Sequence, residues 1–258
     1  MPRKRQSLEK AFKDQRYEVV AYAFDLPHRH QIPEHDHPRD QLVYAQTGVM
    51  TVMTAEGTWV VPPNRAVWMP AGVRHWIRIS GRLEMRTLYL RKGAAESLPR
   101  ACVVVSVSPL LRELILCIVR AGILSRRNRR DRTILDFLHI HLRGMSTIPL
   151  HVPTPQHPTL RAVAQQLAED PAEGAGLSDL AAKFRISERT LERLFLSETG
   201  LTFRHWRQQI RLLKSQELLA AGKSVTTVAL DVGYESTSAF IAAFRRAFSQ
   251  TPRRYVHS

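Results

Sequence analysis

The feature that most constrains this chain is a pattern that occurs twice near its C-terminal end. In LSDLAAKFRISERTLERLF, Ser178 and Ser187 stand where helix N-caps belong, and a tight turn at Arg185 and Ile186 separates a short helix from a longer one. SVTTVALDVGYESTSAFIAAFRRAF repeats the design, with caps at Ser224 and Ser236 and a turn at Gly233 and Tyr234. The two capped longer helices begin 49 residues apart. Leu191, Leu194 and Phe195 share one helical face, which leaves Arg189, Glu192 and Arg193 outward; Phe240, Phe244 and Phe248 turn inward on the second copy. Between the copies TFRHWRQQIRLLKSQELLAAG reads as one helix ending at Gly222, a rigid spacer suited to two successive major-groove segments.

Charge agrees with a polyanionic partner. The 258 residues carry a formal net charge of +15, which favours nucleic acid over a free acidic metabolite. The surplus is spread as +4 over residues 1–90, +7 over 91–158 and +4 over 159–258, so it is not concentrated in the duplicated region. The basic start MPRKRQSLEK is followed by no apolar run, and no stretch approaches the ~18 apolar residues of a membrane span, so a cytoplasmic protein is expected. Cys102 and Cys117 lack metal-ligand spacing and read as buried free thiols.

Upstream the periodicity is different. Residues 18–90 contain seven short β-branched and aromatic runs, EVVAYAF, QLVYAQ, VMTVMT, TWVVP, AVWMP, WIRIS and MRTLYL, separated by turn residues such as Gly48. Seven short strands predict a sandwich or small barrel. From about residue 106 the pattern becomes helical, with apolar stripes Leu110, Leu111, Leu114, Ile115, Ile118 and then Ile134, Leu135, Leu138, Leu142. Leu111, Leu114 and Ile118 are the expected homodimer contact, with packing against the chain's own barrel as the alternative. The intervening Arg126, Arg127, Arg129, Arg130 and Arg132 read as a solvated turn, with phosphate contact as the other option. STIPLHVPTPQHP, with four prolines, holds neither a helix nor a central strand and is the expected linker.

The expected architecture is therefore a multi-domain α and β chain. It has a basic leader (1–17), a small β-barrel (18–98), two amphipathic helices (99–144), a proline-rich linker (145–158) and an all-α domain with two helix-turn-helix units (159–258).

LAAKFRISERTLERLFLSETGLTFRHWRQQIRL, VALDVGYESTSAFIAAFRRAF and TPRRY resemble the paired DNA-binding domain of the AraC family of transcriptional regulators over about the last 80 residues. The resemblance implies double-stranded promoter or operator DNA as partner, with RNA polymerase and a small-molecule effector. It assigns base reading to Arg189, Glu192 and Arg193, then to Ser238 and Ala242. Arginine suits the task because its planar fork bonds guanine O6 and N7 together. Ser187 and Thr190, and Ser236, Thr237 and Arg245, are the accompanying cap and phosphate contacts. Ser238 and Ala242 are weak readers, so the first unit is expected to dominate specificity.

HDHPRDQLVYAQTG and PAGVRH resemble the two short motifs of cupins, which implies a jelly-roll barrel with His35, His37, Gln41 and His75 on its metal-ligand or effector-pocket positions. Gln41 stands where cupins usually carry glutamate, which removes a charge that would offset a divalent metal, the one cofactor the resemblance suggests. His28 and His30 read as structural. Two function classes stay open: a regulator responding to a small molecule, controlling neighbouring transporter or metabolic genes as activator or repressor, and a cupin-type metal-dependent enzyme fused to a DNA-binding module. The missing acidic ligand and the self-sufficient reading head favour the non-enzymatic regulator.

Overall fold

The computed structural model describes residues 10–14, 16–63, 65–93, 98–145, 147–148, 151–248 and 250–256. The chain divides into two compact units, residues 1–54 with 61–150 and residues 55–60 with 151–258.

The first unit is an antiparallel sheet with two helices. Its strands are β1 (Val19–Leu26), β2 (Gln31–His35), β3 (Asp40–Thr54), β5 (Arg65–Met69), β6 (His75–Leu90), β7 (Val103–Ser106), β8 (Ile123–Leu124) and β9 (Thr147–Ile148), while β4 (Gly57–Val61) and β10 (His151–Pro153) pair with each other. The strand order is β8-β1-β6-β3-β5-β7-β9, with β2 added on β6. The expected short strands are partly fused: QLVYAQ and VMTVMT form β3, and WIRIS and MRTLYL form β6. Gly48 is thus not a turn between strands. It sits at φ 77°, where the β3–β6 register shifts, and an added Cβ would lie 2.2 Å from the Arg82 carbonyl oxygen. The bulge bends one long strand, and only glycine fits there.

Strand parity divides the sheet into two chemically different faces. Val19, Ala21, Leu42, Tyr44, Ala66, Trp68, Leu88 and Leu90 join the aliphatic core with helices α1 (Pro109–Ala121) and α2 (Arg129–Arg143). The alternate positions, Tyr22 and Phe24 on β1, Gln41 on β3, Thr87 and Tyr89 on β6, lie on the opposite face. Ser108 caps α1 by accepting from Leu111 N–H, Pro109 opens it, and Gly122 ends it at φ 82°.

Leu111, Leu114 and Ile118 are 2%, 9% and 0% exposed and belong to this core, so the expected dimer contact through them is corrected. The core covers Leu111, Leu114, Ile115 and Ile118 of the stripe and leaves Leu110 exposed. The leader expectation also changes, because residues 10–13 are helical and fall within the first unit. Arg39, fully buried, donates to the carbonyl oxygens of Phe12 (2.8 Å), Tyr17 (3.0 Å), Asp14 (2.7 Å) and Ala11 (3.4 Å) and so ties that segment down.

The second unit is helical: α3 (Pro158–Glu169), α4 (Leu177–Lys183), α5 (Glu188–Thr199), α6 (Phe203–Ala220), α7 (Val225–Asp231), α8 (Thr237–Phe248) and α9 (Pro252–Val256). The proline-rich segment is more ordered than a linker. His151 stacks on Trp59 of β4 at 5.4 Å, and the Trp206 indole N–H donates to the Pro153 carbonyl at 3.0 Å. The edge pair β4–β10 tolerates Pro153 because an edge strand needs only half of its hydrogen bonds.

Candidate nucleic-acid interface and effector site

The duplication read from sequence is a duplication of hydrogen bonds. At the end of α4, Phe184, Arg185 and Ile186 N–H donate to the carbonyls of Leu180, Ala182 and Ala181; at the end of α7, Val232, Gly233 and Tyr234 donate to Val228, Leu230 and Ala229. All three pairs are displaced by the same 48 positions. Each turn passes through the left-handed region, at Arg185 (φ 55°) in the first unit and Gly233 (φ 82°) in the second. Glycine is required at 233, where an added Cβ would lie 2.7 Å from the Arg211 guanidinium and 2.9 Å from Ala172 Cα. The second turn then carries one extra residue, so the caps are 49 apart: Ser187 accepts from Thr190 N–H at 3.1 Å and Ser236 from Ala239 N–H at 3.2 Å.

Ser224 caps α7 as expected, but Ser178 does not cap α4. The cap there is Gly176, whose N–H is taken by the Asp179 carboxylate at 2.7 Å, because the helix starts one residue before Ser178.

On α5, Leu191 and Phe195 are buried while Ser187, Arg189 and Arg193 are exposed and Thr190 and Glu192 half-exposed. On α8, Phe240, Ala243, Phe244 and Phe248 are buried, while Ser236, Ser238, Ala242 and Arg245 are exposed and Thr237 is half-exposed. α6, about 27 Å long at 1.5 Å per residue, joins the two units as a single rod. Sequence reasoning missed one element. Arg204, Arg207 and Arg211 of α6 and Arg246 of α8 line a groove of about 560 Å³ that includes Ala242. The i, i+3, i+7 spacing of the three α6 arginines was the available signal. Arg207 and Arg211 also hold the segment before α4, donating to the carbonyls of Ala175 and Glu173 and of Pro171.

In the barrel, His35, His37 and His75 converge, with ring centroids 4.2 Å (His35 to His75), 5.2 Å (His37 to His75) and 6.2 Å (His35 to His37) apart. Each Nδ1 faces a backbone carbonyl, of Pro33 at 2.8 Å, Arg39 at 2.6 Å and Val73 at 2.9 Å, which fixes a proton on Nδ1 and turns Nε2 inward. Gln41 bridges the His37 Nε2 (2.8 Å) and the Thr87 hydroxyl (2.9 Å). A neutral His37 is satisfied when that amide presents its NH2 to the ring and its oxygen to the hydroxyl.

Burial pushes His75 down to about 4, against an upward pull from the Val73 carbonyl, and its Nε2 has no partner. Burial lowers His37 too, offset by Gln41. Among the described residues no group of three or more His, Cys, Asp or Glu is arranged to hold a metal ion. With Gln41 taken up by its neighbours and no carboxylate among the four, these residues do not fit a divalent metal; they form a polar wall. His28 is structural as expected, its Nδ1 accepting from Gly81 N–H at 2.8 Å.

A family model described as an AraC-like ligand binding domain matches residues 19–183, and one described as a helix-turn-helix domain matches residues 180–258. The chain belongs to the AraC family of transcriptional regulators. It is 37% identical over 224 residues to the HTH-type transcriptional regulator NimR of Escherichia coli, covering 87% of this chain and 82% of NimR. RipA of Corynebacterium glutamicum is 41% identical over 108 residues, 41% of this chain and 33% of RipA. Among solved structures, ToxT from Vibrio cholerae O395 aligns over 95% of this chain and 98% of ToxT at 12% identity, with a TM-score of 0.40. This AraC-family regulator thus has a ligand-binding domain followed by a DNA-binding domain. Its relatives are transcriptional regulators, and no helix among the described residues is long and apolar enough to cross a membrane.

Proposed function

We propose that this regulator reads bases mainly through Arg189, Glu192 and Arg193 on α5, while α8 anchors phosphates through Ser236, Thr237 and Arg245, with Ser238 and Ala242 adding weak base contacts. The observation that carries this reading is the repeated turn geometry, which presents two capped helices of unequal chemistry from one rigid rod. Guanidinium forks on α5 can discriminate guanine by about 1–3 kcal/mol, whereas a hydroxyl and a methyl on α8 offer little. Arg204 and Arg246 add phosphate contacts beside Ala242. The test is selection of bound sites from random DNA. Arg193→Ala should relax preference at one base position, and Arg245→Ala should weaken binding to all sequences alike; equal loss on specific and random DNA for both would sink the assignment.

The barrel is proposed to work as a sensor without a bound metal and without turnover; the uptake of Gln41 by His37 and Thr87, with no carboxylate in the set to offset a divalent charge, supports the first point. A ligand alters transcription only by binding one arrangement of the regulator better than another. RNA polymerase as partner, neighbouring transporter or metabolic genes as targets, and the cytoplasm as location complete the reading. A homodimer remains part of it, but through other residues of the same helices: Leu110, Phe137 and Ile140, 53%, 39% and 65% exposed, are the apolar side chains that a second copy would cover.

A further inference from the structure

The face of the first unit's sheet opposite the helices carries a cleft of about 420 Å³, lined by Phe12, Lys13, Tyr22, Phe24 and Tyr89. That volume lies within the range of small-molecule sites. Four of the five walls are aromatic, and their arrangement is specific. Tyr22 and Phe24 stand side by side on β1, 5.9 Å apart and 17° from parallel, because residues two apart on a strand point the same way. Tyr89, across on β6, meets Tyr22 at 85° and 5.8 Å, and Phe12 from the N-terminal segment meets Tyr89 at 86° and 4.9 Å. Behind Tyr89 the row of rings continues into His37 at 5.0 Å and 87°. One wall therefore offers ring faces and the wall at right angles to it offers ring edges.

The polar inventory of the cleft is short. Lys13 is exposed and brings the only full charge among the described lining residues. Burial holds the Tyr89 phenol up at about 12, so it stays protonated. Among the described lining residues there is no carboxylate or amide to receive the many hydroxyls of a sugar. Aromatic faces and edges at right angles reward a flat ring, which stacks on one wall while receiving the edge of the other, by contacts an equally apolar but puckered ring does not make.

Resting on the sensor reading above, we infer that the effector of this regulator is a small planar aromatic compound of one or two rings, held between Phe12, Tyr22, Phe24 and Tyr89 with an anionic or strongly accepting substituent toward Lys13. The same segment that supplies Phe12 and Lys13 is tied down by Arg39 through the carbonyls of Phe12 and Asp14, so occupancy of the cleft is coupled to the placement of those residues.

The test uses the full-length protein and matched pairs of probes that differ in aromaticity, benzoate against cyclohexanecarboxylate and the neutral benzyl alcohol against cyclohexylmethanol, with indole as a two-ring probe and arabinose and octanoate as outsiders. Calorimetric titration should give each aromatic member at least tenfold tighter binding than its saturated partner. Phe24→Leu, at an exposed position, and Tyr22→Leu should reduce that ratio to near one, and Lys13→Ala should weaken benzoate but not indole. Equal binding of saturated and aromatic partners, an unchanged ratio in both variants, or no binding by any aromatic probe would overturn the inference. If a sugar or an aliphatic acid alone alters operator binding, the sensor reading stands and the aromatic assignment fails. If operator binding responds to a cleft-directed aromatic ligand, both stand.

Discussion

Lowering the pH should loosen the first unit through one histidine. His75 is fully buried, and its pKa of about 4 compares with an ordinary value near 6.5. Its folded pKa lies below its unfolded one, so between about pH 6.5 and pH 4 the unfolded chain binds the extra proton. The stability associated with a neutral His75 is complete above about pH 6.5 and is lost as pH falls towards 4. From about pH 7.5 to about pH 5 the loss is on the order of 2 kcal/mol. His37, lowered by burial, adds in the same direction; Asp36 opposes the effect, and His35 reinforces it by repulsion. With a urea dependence of about 2 kcal/mol per molar, the midpoint of the first unit should fall by roughly 1 M. The assay is urea unfolding of the full chain at both pH values, with His75→Gln as the comparison. The variant should lose less of its stability with pH than the wild type. Identical losses in the two proteins would refute the reasoning, because the acid sensitivity would then come from elsewhere.

Arg39→Met should cost several kcal/mol and free residues 10–17 to proteolysis, since it removes charge-assisted bonds to four carbonyls; protection equal to wild type would contradict that role. Arg185→Gly should stabilise the second unit by about 1 kcal/mol in thermal unfolding, because a left-handed residue with a Cβ is replaced by one without. Ile140→Glu should lower the weight-average mass in sedimentation at micromolar concentration, while a wild type already monomeric there would remove the dimer. Metal analysis of the wild type should return well under one divalent ion per chain. One iron or manganese per chain with substrate turnover would restore the enzyme alternative.

The second unit was more legible in the sequence than the first. Caps, turns and inward rings are local, so Ser187, Ser236, Gly233, Phe195 and Phe244 could be placed by spacing alone. The arginine groove was not, because it forms where α6 meets α8, positions far apart in sequence. In the barrel the histidines were found and do converge, yet the fate of Gln41 depends on Thr87, which is 46 residues away. Strand parity sorts the aromatic residues of the first unit's sheet. Tyr44 and Trp68 face the helices, Trp59 stacks on His151, and Tyr22, Phe24 and Tyr89 line the cleft with Phe12, a grouping that depends on strand pairing rather than on local sequence. Leu111, Leu114 and Ile118 show the limit of amphipathicity: it marks a face to be covered but not what covers it.

Hydroxyl-radical footprinting of the full-length regulator on a selected operator tests the central claim most directly. Two helices held by one rigid rod predict two protected patches on one face of the duplex, about 10 base pairs apart. Base changes should cost about 1–3 kcal/mol each in the patch under α5 and much less under α8. A single protected patch, or equal base sensitivity in both, would contradict it.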